Sequence, residues 1–251
     1  MALVAEPTAE LSHLSKADGS ATFSCHGFTV IAAVNGPIEA PRRDENAFEA
    51  LVDVIVRPAA GVGGPAERQL ESLLQSTLRQ LIPIRNFPRC MIQLTLQIME
   101  TPENAYVNKK LLQAQLNLTV IPALLHASIL GLLSAAVPLK AIATAVTLAV
   151  RAEAGGDDIL VDPSMPDADK ARSVHVLAFT SEDELLLAES AGSFSAAEWD
   201  RVVDAGQSMC CRGRDPGLDT DMSSGAPAMQ SIKDFIRSIM EAKTSEDLHW
   251  K

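Results

Sequence analysis

The residues equipped for chemistry in this 251-residue chain are few and scattered. Arg42 and Arg43 stand together in the polar stretch 40–45, and Arg85 and Arg89 flank Phe87 as a second basic pair. Guanidinium groups suit phosphate, so the Arg42–Arg43 pair reads either as a phosphate contact or as a solvated turn; two arginines fall short of a basic patch. Residues 162–170 form an acidic loop with Asp162, Asp167 and Asp169, and isolated aspartates of this kind are mostly solvated. His126 stands alone in an apolar run with no second ligand at helical spacing, which suits a core or interface residue better than a metal ligand. Cys25, Cys90, Cys210 and Cys211 show no Cys-x-x-Cys spacing, and the last two are adjacent. Reduced thiols are expected rather than a zinc site or a disulfide framework, and no metal or cofactor follows from these residues.

Composition narrows the partners. Asp and Glu number 32 against 21 Lys and Arg, a formal net charge of −11. A chain that grips nucleic acid by itself concentrates Lys and Arg, so any nucleic-acid contact here must be local or shared with partners. The hydrophobic share of 47% is ample for the core of a soluble globular protein, in one large domain or two small ones. The opening MALVAEPTAELSHL has acids and no basic-then-apolar run, so it is not a secretory signal, and the chain is expected to stay inside the cell. No Lys/Arg-rich run marks nuclear targeting.

The elements that must position these residues follow from periodicity. Residues 1–17 read as a loose lead-in. Two apolar runs, 21–25 and 29–34, meet at His26-Gly27-Phe28 and are closed by Asn35-Gly36-Pro37, the pattern of a buried hairpin. Residues 48–57 alternate around Asp53 as a half-exposed strand, and PAAGVGGP at 58–65 must be loop. Over 66–82, Leu70, Leu73, Leu74, Leu78, Leu81 and Ile82 recur at helical spacing, with Glu67 early and Arg79 late as the helix dipole favours. Residues 87–99 alternate as another strand. The polar stretch 101–110 leads to the apolar run 111–136, long enough to raise a membrane span, but Gln113, Gln115, Asn117, His126 and Ser134 interrupt it. It reads instead as a helix over 120–135, buried on two sides, with Pro122 tolerated in the first turn.

Further strands are expected at 142–151, 159–161, 173–180 and 184–190, with a turn at 154–158. A helix at 195–211 has Ser195 as N-cap and Glu198 three residues on. Past a turn-rich linker at 213–228, residues 229–242 put Met229, Ile232, Phe235, Ile236, Ile239 and Met240 on one helical face. A helix this short needs to dock, either on its own domain or on a partner subunit. Strands and helices alternating in blocks predict a mixed α+β fold with its main domain over 18–212.

Several segments, in order, resemble one family. Asp18-Gly19-Ser20, a strand, Gly27-Phe28-Thr29 and Gly36-Pro37-Ile38-Glu39 resemble the opening of RNase PH-like proteins, which include bacterial phosphorolytic exoribonucleases and the ring subunits of the RNA exosome. Arg57-Pro58-Ala59-Ala60-Gly61 resembles the family's VRPAKG strand end, Phe87-Pro88-Arg89 its YPR, HASILGLLSAAVPL at 126–139 its NAAxxALxDAGxPL helix end, and ILVDP at 159–163 the strand before its active-site loop. The likeness covers residues 14–212. It implies an RNase PH-like fold of two β-α-β-α halves, similar to the second domain of ribosomal protein S five, in subunits that pair and close into a ring of six around a pore for single-stranded RNA. The partners implied are other RNase PH-like exosome ring subunits, an S one/KH-type cap subunit and single-stranded RNA through the assembled ring, with no membrane; the places implied are nucleus, nucleolus and cytoplasm.

The resemblance also says where catalysis would reside. Catalytic members place Gly, Thr, Arg and Ser at the start of the long helix, so that N–H groups, a hydroxyl and a guanidinium face phosphate. Here Thr119-Val120-Ile121-Pro122-Ala123-Leu124 offers valine for the arginine and alanine for the serine, and Pro122 removes an N–H donor. Two aspartates six residues apart are expected before the strand at 173–180, but those positions fall on Pro166 and Arg172; a shift by one brings Asp167 near the first. The arginine before the first helix's glutamate is Ala66, followed by Glu67, with Arg68 as a partial substitute. The expectation is a non-catalytic structural subunit of the exosome ring that supports RNA processing and degradation, with Arg42, Arg43, Arg68, Arg85 and Arg89 as RNA-contact candidates. The alternative is a phosphate-dependent 3′ to 5′ exoribonuclease using Asp167 and Asp169. A further alternative is an adaptor whose terminal helix recruits a partner.

Overall fold

The computed structural model describes residues 6–102, 118–151, 158–212 and 231–249. Residues 103–110, the turn positions 154–157, the linker at 213–228 and Met229 lie outside them.

Alternating apolar residues build the first sheet. Its strands are β1 (Thr8–Leu11), β2 (Gly19–Cys25), β3 (Phe28–Glu39), β4 (Leu51–Arg57) and β5 (Cys90–Glu100), in the order β1-β2-β3-β5-β4. Only β4 and β5 run parallel. The β2–β3 turn is tight because His26 and Gly27 both adopt positive φ, 51° and 80°, which matches the twist of a two-residue hairpin.

Three expectations need correction here. Residues 8–11 are not loose: Ala9 and Leu11 pack against the core, and the strand covers the otherwise open edge of β2. The hairpin does not close at Asn35, because β3 continues to Glu39 through a register irregularity. Gly36 permits this with φ 135°, where an added Cβ would lie 2.7 Å from the carbonyl oxygen of Met91. Strand β4 begins only at Leu51, leaving Phe48 outside it.

The crossover from β4 to β5 is α1 (Pro65–Leu81), which starts at the second proline of the glycine-rich loop. The Glu67 carboxylate accepts the Gly64 N–H at 2.6 Å, and Leu70, Leu74, Leu78 and Leu81 are buried against the sheet. A 3-10 turn, Ile84–Asn86, leads into β5.

The second half starts with α2 (Ile121–Ser134) and continues through β6 (Ala143–Arg151), β7 (Asp158–Val161), α3 (Met165–Lys170), β8 (Ser173–Thr180), β9 (Leu185–Gly192) and α4 (Ala196–Gln207). The sheet order is β7-β6-β8-β9, antiparallel throughout. The expected acidic loop therefore contains a short helix, α3, which buries Met165 and Ala168. Helix α4 is capped as its sequence predicts, with the Ser195 hydroxyl accepting the Glu198 N–H and the Glu198 carboxylate accepting the Ser195 N–H. It ends at Gln207, and a π turn carries the chain to Arg212.

Helix α2 organises the whole. It packs on β2 and β3 from one sheet and on β6 from the other, and twelve of its fourteen residues are buried. Gly131 allows the close approach, since a Cβ there would lie 3.1 Å from Val34 Cγ2 and 3.2 Å from Ala32 Cβ. Among the described residues no helix is long and apolar enough to cross a membrane.

The terminal helix, α5 (Ile232–Leu248), docks on its own chain. Ile236 is fully buried, Ile232, Phe235 and Ile239 pack around it, and the Phe235 ring lies 6.3 Å from that of Phe23. Lys243 Nζ donates to the Ser134 carbonyl at 3.0 Å, placing a cation at the C-terminus of α2 where the helix dipole favours one.

Candidate functional site

The two ends of the first sheet gather different residues. At one end, β3 finishes while β4 and β5 begin. Backbone bonds tie their connections together: Ala40 N–H to the Arg89 carbonyl at 3.1 Å, Arg89 N–H to that of Asn46 at 3.0 Å, and Ala50 N–H to that of Ile84 at 2.9 Å. Arg42, Arg43, Arg85 and Arg89 therefore share this end, all exposed. Arg89 Nε lies 3.3 Å from Glu45 Oε1, and Arg79, in the last turn of α1, meets Glu49 at 3.0 Å. Phe48, 81% exposed, stands among them. Arg68 is apart: it lies in the first turns of α1, thirteen residues and about 20 Å of helix from Leu81. The structure thus brings four of the five arginine candidates together and leaves the fifth at the opposite end.

That opposite end holds the start of α2. Val120, Ile121, Ala123 and Leu124 are buried there, and no side chain caps the helix. Thr119, 8% exposed, directs its hydroxyl to Met165 Sδ at 3.3 Å. A phosphate at this helix start would face hydrocarbon from its own first turn and from Met165 of α3.

The acids nearby have other partners. Asp167 accepts the Ser164 hydroxyl and the Arg151 guanidinium, the latter at 2.8 Å, and these contacts, the serine first, hold its carboxyl below the usual range. Asp169 is exposed on α3. Of the positions matched to the catalytic aspartates, Pro166 sits in the first turn of α3. Arg172 donates to both Glu198 oxygens, at 2.6 and 2.7 Å, and to the Ser193 carbonyl. Among the described residues no group of three or more His, Cys, Asp and Glu could hold a metal ion.

Two histidines link the halves. His126, 1% exposed, accepts the Ala145 N–H on Nε2 at 3.0 Å and meets Phe23 edge-on at 5.3 Å, so α2 is bonded to β6 and packed on β2 by one ring. Burial, with a smaller effect from His26, lowers its pKa to about 3. His26 Nε2 lies 3.5 Å from Asp162 Oδ2, joining the β2–β3 turn to the end of β7. Burial raises the Asp162 carboxyl, opposed by His26 and the Thr147 N–H. This contact was missed in the sequence because it depends on left-handed backbone at both residues, φ 51° and 49°, which periodicity does not reveal. The Cys25 and Cys210 thiols are buried and pushed up to about 12, so neither is a ready nucleophile.

Comparison with known proteins follows the same architecture. Residues 6–138 match the model of the 3′ exoribonuclease family, domain 1, known as RNase PH. The Saccharomyces cerevisiae protein named Exosome complex component RRP46 is 30% identical over 208 residues, spanning 80% of this chain and 89% of its own. Its Schizosaccharomyces pombe namesake is 28% identical over 194 residues, 76% and 78% of the two chains. A protein of Oryza sativa named Exosome complex exonuclease RRP46 homolog is 24% identical over 241 residues, 94% and 90% of the two. The crystal structure of rice Rrp46 is similar with a TM-score of 0.72 at 21% identity, covering 95% of this chain and 96% of that one, a likeness of fold. With the family model matching residues 6–138, more than half of the sequence, the chain belongs to the RNase PH family of 3′ exoribonucleases.

Proposed function

We propose that this chain is a structural, non-catalytic subunit of an exosome-type ring, supporting 3′ to 5′ RNA processing and degradation without cutting RNA itself. The observation that carries this reading is the start of α2. Val120, Ile121, Ala123 and Leu124 are core residues, so the helix end that would cradle phosphate is packed with hydrocarbon. The engagement of Asp167 with Arg151 and Ser164 supports the same reading. The relatives named as exosome components support the assembly.

In this reading the neighbours are other RNase PH-like ring subunits and an S one/KH-type cap subunit, and the ring works in nucleus, nucleolus and cytoplasm. Single-stranded RNA passes through the assembled ring and meets the exposed end that carries Arg42, Arg43, Arg85 and Arg89. Arg68, at the other end of α1, is the weaker candidate. The net charge of −11 means that RNA affinity belongs to the assembly rather than to the isolated chain.

The rice relative's name, exonuclease, favours a second reading, phosphorolysis through Asp167 and Asp169. One experiment separates the two. The purified chain is incubated with single-stranded RNA, Mg²⁺ and inorganic phosphate, and nucleoside diphosphates are measured. No release is expected; release that disappears in Asp167→Asn would overturn the structural reading.

A further inference from the structure

The outer face of the second sheet is only partly covered. Helix α4 packs over β6 and β8, where Leu148, Val150, Leu177, Phe179 and Val202 form a second, smaller core. The outer face of the edge strand β9 is left bare, and Leu185, Ala188 and Ser190 on it are exposed. Where this strip meets the start of α4 there is an open pocket of about 390 Å³, lined by Ser190, Phe194, Ser195, Ala196 and Trp199. Phe194 is 40% exposed although it is a large aromatic side chain.

The pocket is built rather than incidental. Its two aromatic walls rest on His175, fully buried, whose ring meets Phe194 at 4.7 Å and Trp199 at 5.6 Å. The imidazole is held on both sides by hydroxyls, Ser190 at 2.8 Å and Ser173 at 3.0 Å. Phe194 and Trp199 stand 5.8 Å apart and only 32° from parallel. Both lining hydroxyls already have partners, Ser190 with His175 and Ser195 with the Glu198 N–H. The exposed walls are therefore mostly ring faces and hydrocarbon, with little polar surface to read a base edge. An apolar side chain fits such a lining best.

Charge chooses the rest of the ligand. Between residues 143 and 212 thirteen Asp and Glu face five Lys and Arg, whereas residues 1–142 carry twelve and eleven. Asp200 and Asp204 follow Trp199 and Val203 on α4 and are exposed, and Glu182, Asp183 and Glu184 stand at the far end of β9. Arg201, two residues after Trp199 and exposed, is the cation nearest the pocket in sequence and stands between Asp200 and Asp204 along α4, while Arg172 is held by Glu198. An RNA strand would be repelled by this surface, while a basic peptide would be attracted.

We infer that the Phe194–Trp199 pocket is a docking site for a partner protein segment that inserts one apolar side chain flanked by lysine or arginine. This surface lies outside the arginine end and the α2 start, so it stands independently of whether the chain cuts RNA. The test uses the full chain carrying Trp250→Phe, which leaves Trp199 as its single tryptophan, with fluorescence as readout. The probes are the peptide acetyl-Lys-Arg-Leu-Lys-Arg-amide, its serine-centred counterpart and oligouridylate. The leucine peptide should give a saturable change in Trp199 emission, about tenfold tighter than the serine peptide. Filling the pocket with Ala196→Leu, at an exposed helix position, should abolish the response with the melting temperature unchanged. Equal binding of the two peptides, a saturable response to oligouridylate instead, no saturable response, or a response that survives Ala196→Leu each overturns the inference.

Discussion

Replacing His126 tests whether the halves are joined through a neutral buried ring. Its pKa falls from 6.5 to about 3, chiefly through burial. Above pH 6.5 the imidazole is neutral in folded and unfolded chains alike. Below it the unfolded chain takes up a proton that the folded chain refuses, so stability falls as pH drops and continues to fall until about pH 3. By pH 5 the loss from this one residue is about 2 kcal/mol, equivalent to about 4–8 °C in melting temperature for a chain of this size. His175, also lowered by burial, acts in the same direction, and Asp162, raised by burial, acts against it. The informative quantity is therefore the difference between the native chain and His126→Gln. Glutamine keeps an acceptor for the Ala145 N–H and does not titrate, at the cost of the edge contact with Phe23, about 0.5–1.5 kcal/mol at every pH. Urea unfolding followed from pH 7 to 5 should show the native chain losing about 2 kcal/mol more than the variant. Parallel losses in the two would refute the argument. His126→Leu, which leaves the Ala145 N–H without its acceptor, should cost about a further 1–3 kcal/mol even at pH 7.

Shortening Ile236 to alanine should cost about 2–4 kcal/mol, because a fully buried side chain is removed from a shared core; hydrogen exchange should show α5 losing protection first, and uniform loss would contradict docking through this face. In a reconstituted ring, replacing Arg42, Arg43, Arg85 and Arg89 with alanine should weaken RNA binding and reduce the salt slope by up to about 3, at roughly 0.7 per phosphate contact. Arg68→Ala should leave the slope unchanged in filter binding, and an equal effect would show that the sheet ends do not divide the work.

The elements most legible in the sequence were those whose packing is one-sided. Leu70, Leu74 and Leu78 mark α1 because one helical face meets a sheet, and Ile92, Leu94 and Leu96 mark β5 by alternation. Strand β1 was not legible, since four residues with two half-buried apolar side chains gain their place only from the edge of β2. Helix α3 was hidden by its acids and proline, although Met165 and Ala168 decide its orientation. The α2 start was legible as a set of residue types, because valine and alanine cannot supply a guanidinium or hydroxyl. The grouping of the arginines was not. It depends on the parallel register of β4 on β5, which puts residues 40–50 beside residues 84–89.

The position of α2 between two sheets makes the protein indivisible. The family match stops at residue 138, just past this helix, yet nothing structural stops there. One continuous core runs from Val30 and Leu96 through α2 to Ala149 and Val176. A fragment cut at residue 138 would leave bare the flank of α2 that β6 covers, and His126 would lose the Ala145 N–H. The matched segment is thus a unit of resemblance but not a unit of folding, and neither half can be exchanged, truncated or redesigned without redesigning the helix both of them share.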